Sequence, residues 1–400
     1  MSSEIITQQD TKLIAETICG PEATVLSFDL KPYSEDPLGL MSAHRRLRIQ
    51  VRSKNKKDQT TEISCFVKAL PLDCAPQLDY IKESTVFEKE TAFYSKIAPV
   101  LLDSYSGPAW CPRCYIARDG MLCFEDLSVQ GFGMRGKLFN GVSVKSAIRA
   151  IASFHASSIC AEVRLGRSVT EVQPDFFYEL LFVKNKKIHE WFKSGVQVAV
   201  AVAERMGLDS SRLPEAFEIA YKAVGPSKTK VNVINHGDLW ANNMLFDDQD
   251  NCRLVDFQLF RYCPPGLDLA VLLYLCAPSV LRRTKEKELL RYYYDHLVEY
   301  VGGERSRLPS FEEICQGYEE RKIVGCITAV LYFPQALMNL TTTRDLLTSF
   351  ETFDDYVIGD RRDIVLESMQ KDRPYGERVE DVVKEFVEMS FKLDQIPQPC

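Results

Sequence analysis

The segment His236-Gly237-Asp238-Leu239-Trp240-Ala241-Asn242-Asn243, followed by Val255-Asp256-Phe257-Gln258, constrains this chain more than any other stretch. It has the form H-x-D-x-x-x-x-N, with a second acidic residue thirteen positions after Asn243 on an apolar, strand-like segment. A loop and a short hairpin can bring such residues together. One carboxylate, Asp238, is then placed to accept the proton of an attacking hydroxyl. An amide oxygen and a second carboxylate, Asn243 and Asp256, are hard donors of the kind that hold Mg²⁺ against the phosphates of ATP. Four fixed residues at roughly one in twenty each, over about 400 starting points, give on the order of 10⁻³ chance matches. Asp238 or Asn243 alone reads more simply as a turn cap bonded to local backbone. The three together point to catalysis.

A chain of 400 residues, 46% hydrophobic and 26% charged, can bury a large core and build two or three lobes. Its net charge of −7 gives no footprint for nucleic acid. Lys54-Asn55-Lys56-Lys57 and Lys184-Asn185-Lys186-Lys187 read as solvated turns and helix faces. The thirteen cysteines are odd in number and sit in apolar contexts. The N-terminus, Met1-Ser2-Ser3-Glu4, lacks a basic start and a sustained apolar stretch, so reduced thiols and a cytoplasmic protein are expected. Cys111-Pro112-Arg113-Cys114 has no second pair and no nearby histidine to make it a redox or zinc site. No membrane span is expected: the most apolar stretch, Ile323 to Met338, is short and contains Thr328, Pro334 and Gln335.

The expected fold class is α+β and bilobal, with a small β-rich N-terminal lobe (1–126) and a larger, mainly helical C-terminal lobe (127–400). Arg46 to Val51 alternates polar and apolar side chains as a half-buried strand does, and Ile63 to Lys68 reads as its returning partner across a charged turn at 53–59. After Pro71 a helix is expected through Glu83, Phe87, Glu90 and Tyr94. Cys114 to Ala117 and Met121 to Phe124 flank Asp119-Gly120, a strong hairpin turn. Helices are expected from about Val144 to His155, Phe176 to Glu204, Leu267 to Leu275, Lys285 to Tyr300, Phe311 to Leu340 and Val379 to Leu393. The lobes join near Glu125-Asp126-Leu127.

Lys68 ends an apolar strand, where an ammonium could reach nucleotide phosphates. Burial there demands a partner, and Glu90 is the natural one, with Glu88 the alternative. Backbone N–H groups near Gly39 and Ser42, just before the Arg46 strand, could cradle phosphates. His236 is expected to brace backbone rather than catalyse, and Asp268 to cap its helix or brace the loop. Phe176, Phe177, Tyr178, Trp191 and Phe192 of an insert at about 173–230, with Tyr332 and Phe333, read as core residues or as the wall of an apolar pocket.

These motifs resemble the ecdysteroid kinase-like, or choline-kinase-like, family within the aminoglycoside and choline phosphotransferase superfamily. The resemblance runs from about Pro37 to Phe333. It rests on the catalytic segment (236–258), Phe66-Val67-Lys68, Phe87 with Glu90 and Phe93-Tyr94, Phe124 to Leu127, and Phe154-His155-Ala156. It implies a kinase-like fold, ATP- and Mg²⁺-dependent phosphorylation of a small hydroxylated molecule such as an ecdysteroid or xenobiotic alcohol, and cofactor contacts at Lys68, Glu90, Gly39, Ser42, Glu125 and Leu127. Ser42 and Ala43 stand where the family commonly has a further glycine and an acidic residue. Eleven residues between Asp256 and Asp268 are too few for the activation segment of a protein kinase. A catalytically weak relative and a choline- or aminoglycoside-type kinase remain alternatives.

Overall fold

The computed structural model describes residues 5–34, 42–52, 60–184, 188–303, 305–338 and 358–399. Gly39, the turn at 53–59 and the end of the lysine-rich stretch at 185–187 lie outside them. Strands β1 (Thr24–Pro32), β2 (Ala43–Arg52), β3 (Thr60–Ala69), β4 (Cys114–Arg118) and β5 (Met121–Glu125) form one antiparallel sheet in the order β1-β2-β3-β5-β4.

Alternation decides what each face of this sheet carries. Leu47, Ile49 and Val51 of β2 and Ile63, Cys65 and Val67 of β3 share one apolar cluster with Ile14 and Ala15 of a helix at Gln8–Cys19. A period of two therefore sends Ser64, Phe66 and Lys68 to the opposite face, toward the rest of the molecule. The N-terminal helix and β1 add to the two expected hairpins. Thr7 and Asp10 close a capping box at the start of that helix, satisfying two otherwise orphaned N–H groups.

The helix expected after Pro71 is broken. It runs Ala75–Ser84 and then Val86–Ala92, with Thr85 between them in the left-handed region at φ 59°. The break frees the second piece to dock by itself: Phe93 stacks on Phe257 at 4.2 Å between centroids, and Glu90 reaches Lys68. Asp126 ties the sheet to the following segment. Its carboxylate accepts from Tyr33, Ser64, Ser128 and the Ser128 backbone, and pairs with Arg46 at 3.2 Å.

The remainder is mainly helical, with long helices at Gly141–Leu165, Ile188–Arg205, Ser279–Val301, Phe311–Ala336 and Arg373–Ser390. Gly266–Cys276 is apolar nearly all round, and every one of its residues is buried. It lies so close to Phe311–Ala336 that a Cβ on Gly325 would come 2.5 Å from the Ala270 carbonyl oxygen. The helix expected from Phe176 starts, among the described residues, only at Ile188. The Glu179 carboxylate accepts the backbone N–H groups of Leu181 and Phe182, and the Tyr178 carbonyl accepts from Lys89, so this backbone bonds elsewhere than along a helix. Among the described residues all cysteines are free thiols, Cys111 and Cys114 included, with burial pushing Cys114 up to about 12. No helix among them is long and apolar enough to cross a membrane.

Candidate active site

A short hairpin assembles the acidic cluster. β6 (Met244–Phe246) pairs with β7 (Cys252–Leu254), and Asp247 closes the turn by accepting from the N–H groups of Gln249 and Asn251. The Val255 N–H then donates to the Asn243 carbonyl at 3.0 Å, so Asn243 and Asp256 flank the open end of the hairpin. Asp256 adopts φ 68°, ψ 64°, a left-handed conformation that costs a side-chain-bearing residue on the order of 1 kcal/mol. It is held there by Lys68, whose ammonium lies 2.8 Å from its carboxylate and 2.6 Å from Glu90.

Burial opposes the charge of Lys68, but Asp256 and Glu90 together raise its pKa above the ordinary lysine range. Burial raises the Glu90 carboxyl, while Lys68 and the backbone of Phe257 pull it back. The partner inferred for Lys68 is thus Glu90, not Glu88, and Asp256 joins the pair from the helical part of the chain.

Asp238 is buried beside this cluster. The Asn243 amide nitrogen donates to both its carbonyl (2.9 Å) and its carboxylate (3.0 Å), and the Tyr332 hydroxyl donates to the other carboxylate oxygen at 2.9 Å. Burial and the negative charge of Asp256 push Asp238 up to about 6, against the hydrogen bonds from Tyr332, Asn243 and Gln258. The Asn243 bonds run from its nitrogen, which leaves its amide oxygen to serve as a metal ligand, and the Asp256 carboxylate is partly exposed. One carboxylate and one amide oxygen fit Mg²⁺, which takes few protein ligands.

His236 braces the loop, as expected. Its Nδ1 accepts the Asp238 N–H at 3.2 Å, so its Nε2 carries the proton and donates to the Val255 carbonyl at 2.9 Å. Burial lowers its pKa, which suits this neutral form. Asp268 is the anchor: its carboxylate accepts the N–H groups of His236 (2.7 Å) and Gly237 (2.9 Å) and pairs with His155 at 3.1 Å. Gly237 has φ 80°, and a Cβ there would lie 2.2 Å from the Leu259 carbonyl oxygen. Gly237→Ala is expected to destabilise the protein by about 2 kcal/mol or more in a urea titration, and an unchanged midpoint would remove this glycine from the loop's requirements.

The remaining expected cofactor residues that are described, Ser42, Glu125 and Leu127, each bond to other residues. Ser42 bonds the His44 ring at 2.9 Å, and His44 pairs across the sheet with Lys68. Burial and then Lys68 lower His44 to about 4. The Glu125 carboxylate accepts from the Arg113 N–H and from Gln130, and the Leu127 carbonyl accepts the Phe132 N–H. Gly39 is outside the described residues. Of the expected aromatic wall, Tyr332 bonds Asp238 and Trp191 packs edge-on against Tyr332, whereas Phe192 packs into the core against Phe217 and Tyr221.

A second buried network lies behind the loop. Glu179 accepts from Arg261 at 3.1 Å, and the neighbouring charges of Arg261 and Lys89 help keep its carboxyl below the usual range despite burial. Lys89, one residue before Glu90, also sits over the rings of Tyr178 and Phe260. Removing the carboxylate would take from Arg261 its anionic partner. Glu179→Leu and Glu179→Gln are both expected to cost roughly 3 kcal/mol in denaturant unfolding, since each removes the negative charge, and a Gln variant as stable as the native protein would discount the charge.

Residues 39–302 match the family described as ecdysteroid kinase-like. No curated protein sequence matches the chain. Among solved structures it is similar to the choline kinase LicA from Streptococcus pneumoniae, at 15% identity and a TM-score of 0.37, over 91% of this chain and 100% of that one. A spectinomycin phosphotransferase solved with ADP and spectinomycin aligns at 12% identity and a TM-score of 0.41, over 91% and 99%. A putative aminoglycoside phosphotransferase from Ralstonia eutropha aligns at 10% identity and a TM-score of 0.40, over 95% and 98%.

Proposed function

Since the chain belongs to the ecdysteroid kinase-like family, we propose that it is an ATP- and Mg²⁺-dependent kinase that phosphorylates a hydroxyl of a small hydrophobic molecule, such as an ecdysteroid or a related steroid or xenobiotic alcohol. The observation that carries this is the meeting of Lys68, Glu90 and Asp256 beside the Asp238–Asn243 pair.

In this arrangement Asp238 accepts the proton of the acceptor hydroxyl. Its pKa near 6 leaves it ionised at neutral pH while keeping it more basic than a solvent-exposed carboxylate. Tyr332 and Asn243 each hold one of its oxygens and fix its direction. Lys68, kept charged by Glu90 and Asp256, contributes the positive charge for nucleotide phosphates. Asp256 and Asn243 would hold Mg²⁺, which would neutralise charge developing on the transferred group. Trp191, Trp240 and Tyr332 supply apolar surface for the acceptor next to Asp238.

Lys68→Met tests the nucleotide half of the site. Titration calorimetry with ATP is expected to show Mg²⁺-dependent binding by the native protein and at least roughly tenfold weaker binding by the variant. Equal affinity in both proteins would remove Lys68 from the phosphate site.

A further inference from the structure

The wall beside Asp238 is aromatic. Trp240 meets Tyr332 edge to face at 6.5 Å, and Trp191 meets the same ring at 5.8 Å. Such faces attract organic cations when they are free. Here that place over Trp240 is taken by the chain itself. The Lys137 ammonium lies 4.5 Å from the Trp240 ring centroid and donates to the Asn242 side-chain oxygen at 2.5 Å.

A second cation stands behind it. Arg378 lies 4.5 Å from the Phe333 ring centroid and donates to the backbone carbonyls of Lys137 (3.1 Å) and Leu275 (2.8 Å). Lys137, Trp240, Tyr332, Phe333 and Leu337 line one small cavity, in which the Tyr332 hydroxyl is bonded to Asp238. Burial and then Arg378 depress the Lys137 pKa, and among the described residues no carboxylate is among the groups acting on either cation. Among the described residues, therefore, the aromatic wall that runs from Tyr332 to Trp240 already holds a cation with no carboxylate paired to it.

We propose that Lys137 is a specificity-determining residue that bars organic cations from the acceptor side, so that the alcohol phosphorylated carries no positive charge. This rests on the assignment of Asp238 as the residue facing the acceptor hydroxyl. An ammonium-bearing alcohol would have to place its charge against Lys137 or give up the aromatic wall. A neutral alcohol of the same shape covers the wall freely, and one bearing a carbonyl or carboxylate gains a bond to Lys137.

Choline and 3,3-dimethylbutan-1-ol test this, because they share a shape and differ in charge. Their binding to the native protein, Lys137→Gln and Lys137→Glu can be followed by tryptophan fluorescence, since Trp191 and Trp240 report on the wall. The native protein is expected to bind the neutral alcohol at least tenfold more tightly than choline. Lys137→Gln, which keeps a donor for Asn242, should shrink that ratio, and Lys137→Glu should bring it to one or invert it. Native protein that binds choline as tightly as its neutral isostere would overturn the proposal, as would a ratio unchanged in both variants. The readout needs no turnover, so failure here is distinguishable from failure of the kinase assignment, which label transfer measures.

Discussion

Asp256→Ala is expected to lose Mg²⁺-dependent phosphoryl transfer by on the order of 10³-fold or more. The size of the effect follows from three roles meeting in one side chain. Asp256 is the carboxylate donor of the proposed metal pair, the second anion holding Lys68, and a negative charge that raises the pKa of Asp238. Its removal leaves Lys68 paired with Glu90 alone and takes away the only carboxylate in the donor set proposed for Mg²⁺. No backbone strain is relieved in exchange, because alanine still occupies φ 68° and lacks the carboxylate that holds the residue there. Rates measured across Mg²⁺ concentrations separate the roles. A variant restored by high Mg²⁺ has lost mainly metal affinity, and a variant with native turnover would withdraw Asp256 from the site.

Asp238→Asn should lower transfer by roughly 10²- to 10⁴-fold while leaving nucleotide binding near native, because it removes a proton acceptor and little shape. It should also stabilise the fold at neutral pH. The folded-state pKa of Asp238 is raised above its unfolded value by burial and by Asp256. Its contribution to stability is therefore full below about pH 4 and is lost as pH rises through about 6, on the order of 2–3 kcal/mol in all. Asparagine never ionises, so the variant escapes that loss. Asn243 can still donate to its amide oxygen, and the Tyr332 hydroxyl can turn to accept from its nitrogen. Thermal unfolding should show the variant ahead by a few degrees at pH 8 and level with the native protein near pH 4. In the native enzyme kcat/KM should fall below about pH 6 as Asp238 takes up its proton. A gain that is constant across pH would mean that Asp238 is not the titrating group.

The parts of this site legible in the sequence are those fixed by local geometry. Twelve residues between Asn243 and Asp256 are what a three-residue strand, a tight turn and a returning strand consume, so the hairpin could be read from spacing. Alternation in β3 likewise turns Lys68 away from Cys65 and Val67 and toward the rest of the molecule. The bracing roles of His236 and Asp268 were also open to a reader who asked where the loop's backbone N–H groups find partners.

What stayed hidden depends on contacts between residues far apart in the chain. Tyr332 lies 94 positions from Asp238, and the sequence offered its ring as core or pocket wall but gave no sign that its hydroxyl bonds Asp238. Glu179 looked like part of a helix beginning at Phe176, whereas its carboxylate bonds the local backbone and Arg261 instead. Thr85 gave no signal of the left-handed break that separates Ala75–Ser84 from Val86–Ala92. The N-terminal helix carries a capping box, Thr7 with Asp10, which a closer reading of caps would have caught. Lys137 is typical of the difficulty: in sequence it is one exposed-looking lysine, and only Trp240 and Arg378 give it a role.

The most informative single measurement is transfer of label from γ-labelled ATP to a small organic product, with native protein and Asp238→Asn side by side. The acceptors should span ecdysteroids, other sterols, choline-type alcohols and plant glycosides, in the presence of Mg²⁺. Label is expected in an organic product with the native protein, and not with Asp238→Asn. Equal label transfer by both proteins would contradict the role given to Asp238, and native protein that neither binds Mg²⁺–ATP nor transfers label to any acceptor would contradict the assignment as a kinase.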